Sequence, residues 1–172
     1  MESKYCDALR FAIEFEKKGQ KFYLDAVQKV ADPFSRKTLE FLADEEVSHI
    51  EKIEKFNEAL LGTGDFDIAK ECQSNLSQRV KEYMVSVVSE KEAKVSPQST
   101  EIEVYDLALE MEKSSYDIYK DALESNSDEQ LKRFFEFLMK EEQIHYDLLA
   151  ASKKYLEDPS YYFEEFGGWI FG

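Results

Sequence analysis

The sequence predicts an all-α protein, a four-helix bundle made of two antiparallel helical hairpins joined by a long crossover. Three observations lead there. The 172 residues include only six Gly and three Pro, with 43% hydrophobic and 34% charged residues, which excludes disorder, a collagen-like repeat and a turn-rich β-sandwich. Apolar residues recur at alternating spacings of three and four, the period of an amphipathic helix. Finally, the second half of the chain repeats the first at a constant offset of 96 with no gap. The whole, residues 1–172, is read as one domain, and a chain of this size buries roughly 70% of the surface its unfolded form exposes.

The first helix is read over residues 5–30, with Leu9, Ala12, Gly19, Tyr23, Ala26 and Val30 along one stripe and Arg10, Glu14, Lys17, Lys18, Lys21, Asp25 and Gln28 on the solvated side. Asp32-Pro33 is a helix start, with the carboxylate as cap and Pro at the first helical position. The stripe that follows runs through Leu39, Leu42, Ile53, Phe56 and Leu60 and stops at Gly62. The short link makes these two helices an antiparallel hairpin. Residues 62–99 are too long for a tight turn and are read as the crossover, carrying a short helix with Leu76, Val80, Tyr83 and Val87 on one side. Residues 100–156 repeat the plan. AIEFEKKGQKFYLDA from Ala12 aligns with ALEMEKSSYDIYKDA from Ala108, and EFLADEEVSH from Glu40 with EFLMKEEQIH from Glu136; Ser127-Asp128 starts the last helix.

The two histidines, His49 and His145, each follow a glutamate by three residues, Glu46 and Glu142. That spacing places both side chains on one helix face. It is moreover the apolar face, since Glu46 and His49 lie between Leu42 and Ile53, and Glu142 and His145 between Leu138 and Leu149. The partner helices add Glu16, between Ala12 and Gly19, and Glu112, between Ala108 and Ser115. Glu14 and Glu110 sit about 200° round the helix from these and face water, at about 100° per residue. Solvated carboxylates and a hydrogen-bonded core histidine are the ordinary reading of such residues taken singly. Together they would bury four carboxylates and two imidazoles, with like charges repelling and several kcal/mol of desolvation per ion. Two divalent cations remove that conflict, because their four positive charges balance four carboxylates. A donor set of carboxylate and imidazole without thiolate suits iron or manganese, and zinc binds such groups as well. An iron pair also stores two electrons and delivers them together.

One Glu from each of two helices with Glu-x-x-His from each of the other two is the ligand set of ferritin-like di-iron proteins. AIEFEKKGQKFY and ALEMEKSSYDIY resemble the first and third helices of rubrerythrin-like domains, and EEVSH and EEQIH their second and fourth. The resemblance implies a ferritin-like bundle in which Glu16, Glu46, His49, Glu112, Glu142 and His145 bind two iron ions. It implies a non-haem di-iron oxidoreductase that reduces hydrogen peroxide or dioxygen, supplied by an external donor such as a rubredoxin-like protein. Two departures accompany it. The sequence shows no rubredoxin-like cysteine knot, and Ser115, with Gly19 as its repeat partner, stands where rubrerythrins carry an extra carboxylate. The expected site is therefore the more symmetric six-ligand kind found also in bacterioferritins, which keeps a ferroxidase of iron storage or transfer as an alternative. A metal-free helical adaptor is the alternative from a different class.

Tyr23 and Tyr119 each follow a ligand-type Glu by seven residues, two turns along the same face, where a phenol can hydrogen-bond a ligating carboxylate. Packing with a satisfied hydroxyl is the plainer reading. The stretch 157–172 is an aromatic tail containing Tyr161, Tyr162, Phe163, Phe166, Trp169 and Phe171. It is expected to pack on the bundle or in a homodimer contact, with docking to another protein as the alternative. A formal charge of -15 repels phosphate backbones and anionic lipid heads, so neither nucleic acid nor membrane is an expected partner. The start MESKYCDALRF lacks signal-peptide character, Cys6 and Cys72 form no CxxC pair, and a cytoplasmic location with two ordinary thiols is expected.

Overall fold

A computed structural model describes residues 2–89 and 99–158, and the aromatic residues of the tail and the side chains of Cys6 and Val87 lie outside that description. Six helices and no strands occur among the described residues: α1 (Glu2–Val27), α2 (Pro33–Leu60), α3 (Ile68–Glu71), α4 (Leu76–Ser89), α5 (Ser99–Ser125) and α6 (Glu129–Glu157). α1 packs along α2 and α5 along α6, so the two repeats form the two hairpins; α1 also meets α5, α2 meets α6, and α3 and α4 lean on α6. No helix among the described residues is long and apolar enough to cross a membrane.

The helix ends follow the sequence signals closely. Asp32 caps α2 by accepting from the Ser35 N–H, with Pro33 opening the helix, and Asp128 caps α6 by accepting from Gln130 and Leu131 N–H. α2 ends in paired bonds from Thr63 N–H to the Glu58 carbonyl and from Gly62 N–H to the Ala59 carbonyl. Gly62 has φ 72°, a left-handed conformation that a side chain would penalise.

Three details differ from expectation. α1 stops at Val27, three residues early, because the chain turns there with Lys29 and Val30 N–H both bonding to the Ala26 carbonyl; Val30 stays buried beyond the turn. Leu60, placed on the apolar stripe, is 37% exposed, as it occupies the last turn of α2 where the helix runs past its neighbours. In α4 the buried side is made by Leu76, Val80 and Met84 with Tyr83 partly covered, and α3 has no counterpart in the expected elements.

The core is divided. One cluster gathers Tyr23, Val30, Phe34, Leu39, Tyr105 and Leu156 around the end where α2 begins, with α4 closing it through Leu76, Val80 and Met84. The other gathers Leu9, Ile53, Phe56, Tyr119, Phe134 and Leu138 around the opposite end, where the Phe56 and Phe134 rings stack at 4.2 Å. Between them lies a layer of buried carboxylates and imidazoles.

Candidate metal centre

Each hairpin supplies three residues to that layer from the inward faces of its helices. α1 provides Glu16, α2 Glu46 and His49, α5 Glu112, and α6 Glu142 and His145, none more than 3% exposed. Glu14 and Glu110, one face round, are exposed.

The six side chains interlock across the hairpins. His49 Nδ1 stands 3.3 Å from Glu16 Oε2 of its own hairpin and 3.1 Å from Glu142 Oε1 of the other. His145 Nδ1 mirrors this, 3.5 Å from Glu112 Oε2 and 3.8 Å from Glu46 Oε1. Potential ligand atoms fall into three overlapping groups, each within 4.8 Å: Glu16, His49 and Glu142; Glu46, Glu112, Glu142 and His145; and Glu46, His49 and His145. Glu46 and Glu142 are each grouped with both histidines, whereas Glu16 and Glu112 each fall in one group. The imidazoles face each other with centroids 5.1 Å apart.

The donors fit metal ions by a direct criterion. Glu112 Oε2, both carboxylate oxygens of Glu142, His49 Nε2 and both nitrogens of His145 are buried without a hydrogen-bond partner. Buried polar atoms are almost always satisfied, and such a concentration of exceptions calls for a ligand.

The tyrosines act across the bundle. Tyr119 donates to Glu16 Oε1 and Tyr23 to Glu112 Oε1, so each phenol holds the carboxylate of the opposite hairpin. Each terminal carboxylate thus spends one oxygen on a tyrosine and turns the other towards the histidine of its own hairpin. Burial, reinforced by the carboxylates beside them, pushes both phenols well above the usual tyrosine range, which keeps them protonated donors.

Three further buried carboxylates escaped sequence analysis. Glu45 is clasped by both Arg79 amino groups from α4. Glu141 accepts from Ser74 Oγ and lies 3.9 Å from His49 Nε2, on the side of the ring away from Glu16. Glu101 accepts from Ala31 and Asp32 N–H, tying α5 to the turn that precedes α2. The repeated doublets Glu45-Glu46 and Glu141-Glu142 were a signal for the first two, whereas nothing in the pattern marks Glu101. Ser115 is buried and donates back to the Met111 carbonyl, so its hydroxyl is engaged by α5 itself.

Crowding sets the proton inventory. Burial first, and then the charge of Glu16, push Glu46 and Glu142 well above the usual carboxylate range. Burial acts the same way on Glu16, but its hydrogen bond with Glu46 and the neighbouring His49 outweigh it and draw the group down to about 2. Burial would lower His49, yet the charge of Glu16, with Glu141 and Glu142 close by, pushes it well above its usual range. Metal must displace the protons held by Glu46, Glu142 and His49, so its affinity rises with pH. The metal-free fold behaves in the opposite sense. Its unfolded chain releases these protons above about 4.5 and 6.5 while the folded chain retains them, so stability falls as pH rises from 5 to 8. Thermal melts of chelator-treated protein across that range are expected to show a falling midpoint, and titration with metal in weak buffer a release of protons.

A four-helix bundle with paired Glu-x-x-His helices and two further core glutamates encloses a buried carboxylate and imidazole cluster that could bind metal. Residues 7–153 match the profile of the rubrerythrin family, and the chain belongs to that family. Comparison with curated proteins and with solved structures returned no significant match.

Proposed function

We propose that the chain is a non-haem di-iron oxidoreductase that reduces hydrogen peroxide or dioxygen, with Glu16, Glu46, His49, Glu112, Glu142 and His145 as the iron ligands. The observation that carries this is the sharing of Glu46 and Glu142 between both histidines, which offers two neighbouring ions carboxylates in common. These residues would hold two ferrous ions, which would supply a pair of electrons to an O–O bond. Glu16 and Glu112 hold the outer ends of the centre, each fixed in orientation by a tyrosine of the other hairpin. The apolar clusters close the two ends of this layer, and its side chains are at most 3% exposed, so their charges act on one another at reduced dielectric. Glu141, anchored by Ser74, places a carboxylate 3.9 Å from His49 Nε2, on the side of the ring away from Glu16, and so adds negative charge behind that imidazole. Rubredoxin-like electron delivery belongs to the same proposal.

A ferroxidase remains the second reading, favoured by Ser115, with Gly19 as its repeat partner, at the position of the extra rubrerythrin carboxylate. The metal-free adaptor would leave the cluster of unsatisfied donors without purpose. Iron reconstitution under anaerobic conditions followed by elemental analysis is expected to give two ions per chain. A value near zero in folded protein overturns the metal reading, and a value near one overturns the pairing implied by the repeat. Gel filtration then separates the two metal readings, since mineral accumulating inside a large assembly favours storage.

A further inference from the structure

We propose that the centre is reached from one side, through a vestibule between α5 and α6 rimmed by Tyr116, Gln143 and Tyr146, which admits divalent metal ions and a small uncharged oxidant. The oxidant half rests on the function proposed above; the metal half does not. A cavity of about 250 Å³ opens between these helices, with Glu112 and Glu142 at its lining and Lys113, Tyr116, Asp117, Gln143 and Tyr146 around them. At about 30 Å³ per water it holds several, enough for a partly hydrated cation or a peroxide molecule. The cavity stops against Glu112 and Glu142, which are 0% and 1% exposed, and their unpartnered oxygens, Glu112 Oε2 and both of Glu142, lie covered behind its floor.

The other side of the centre is built differently. Gly19 lets α1 close onto Glu46 so tightly that a Cβ there would stand 3.2 Å from the carboxyl carbon. The repeat makes the contrast position by position: Tyr116, Asp117, Gln143 and Tyr146 correspond to Gln20, Lys21, Val47 and Ile50. Tyr146 is partly exposed whereas Ile50 is buried. The ligand-type residues are thus identical in the two hairpins while the residues over them have diverged, which is what an opening confined to one hairpin requires. The wall charges Lys113 and Asp117 lie 3.8 Å apart and cancel. Glu112 and Glu142 at the cavity floor supply the oxygens that an entering cation takes up as it displaces the proton held by Glu142, and the neutral wall offers no barrier to an uncharged oxidant.

The test follows cobalt(II) loading of metal-free protein in a stopped-flow spectrometer, with the final cobalt content measured separately. Gln143→Trp, which fills the mouth, is expected to slow loading at least tenfold at an unchanged end point. Tyr116→Ala, which widens it, should speed loading, and Gln20→Trp on the mirrored face should match the parent. Parental loading rates in both vestibule variants, or equal slowing by Gln20→Trp, overturn the proposal. Tyr116→Ala removes bulk and keeps the test readable should Gln143→Trp fail to fold. Iron-loaded proteins mixed with peroxide should show the same order of rates, and equal rates in Gln143→Trp and the parent overturn the oxidant half. A parent inert to peroxide and to dioxygen alike, with the cobalt order intact, would sink the oxidoreductase reading and leave the metal route standing.

Discussion

Glu16→Ala or Glu112→Ala is expected to strip at least one metal ion from the protein, whereas Glu14→Ala and Glu110→Ala leave both in place. All four substitutions delete the same carboxylate from the same two helices, so overall acidity cannot distinguish them. Position on the helix can. Glu16 and Glu112 are buried against the histidines of their own hairpins, while Glu14 and Glu110 are exposed. Tyr119→Phe and Tyr23→Phe should fall between these limits. They remove the donor that orients a terminal carboxylate and keep the carboxylate itself, and lost outer partners of this type lower metal affinity roughly 10- to 100-fold. Because the phenols cross between hairpins, Tyr119→Phe should weaken the ion held by Glu16, and Tyr23→Phe the ion held by Glu112. Metal-free stability supplies a second readout. Glu142→Gln keeps shape while removing a group that the crowded site holds protonated, so the metal-free variant should lose less stability than the parent as pH rises from 5 to 8. Elemental analysis and chelator-treated melts measure the two effects. Equal metal loss from the buried and exposed pairs would show that the stripe assignment has failed.

The inward residues could be read directly because the helical period decides which face a side chain occupies, and both hairpins place like residues at like positions. Spacing of three carried Glu46 and His49 inward together, and Asp32 and Asp128 marked helix starts through capping chemistry that acts within a few residues. What the pattern does not encode is which helix lies opposite. Tyr23 shares a stripe with Glu16 yet bonds Glu112, a contact set by the way the hairpins pack. The same limit hid Arg79, whose partner Glu45 lies 34 residues away, and Glu101, which reaches the backbone before α2 from the other hairpin. Leu60 was misplaced for a related reason: periodicity continues to the end of a helix even where the neighbouring helices no longer cover it. Local physics thus specifies the faces, and the contacts that cross between hairpins arise only from packing.

Fully reduced protein on its own should reduce about one equivalent of peroxide per centre and then stop. The proposed iron pair holds two electrons, the number one O–O bond takes up, and a further round requires a source to replace them. The 172-residue chain offers no clear one. Its two cysteines form no CxxC pair, and neither a flavin nor a nicotinamide glycine motif is present. Cys72 is a poor substitute, since burial pushes its thiol up to about 11 and keeps it from forming the thiolate that redox exchange uses. Tyr23 and Tyr119 touch the carboxylates, but their burial beside negative charge holds them as protonated hydrogen-bond donors, and each is already committed to a carboxylate. An added rubredoxin-like donor with its reductase should therefore restore cycling, raising peroxide consumed per centre from about one equivalent to many. The measurement follows iron oxidation by absorbance and peroxide loss together, with and without donor. Consumption of many equivalents without donor would replace the single-round scheme with a catalase-like cycle. Oxidised iron that leaves the site and collects as mineral would instead transfer the assignment to ferroxidase, because the two electrons would then come from successive ferrous ions and not from a resident pair that is reduced again in place.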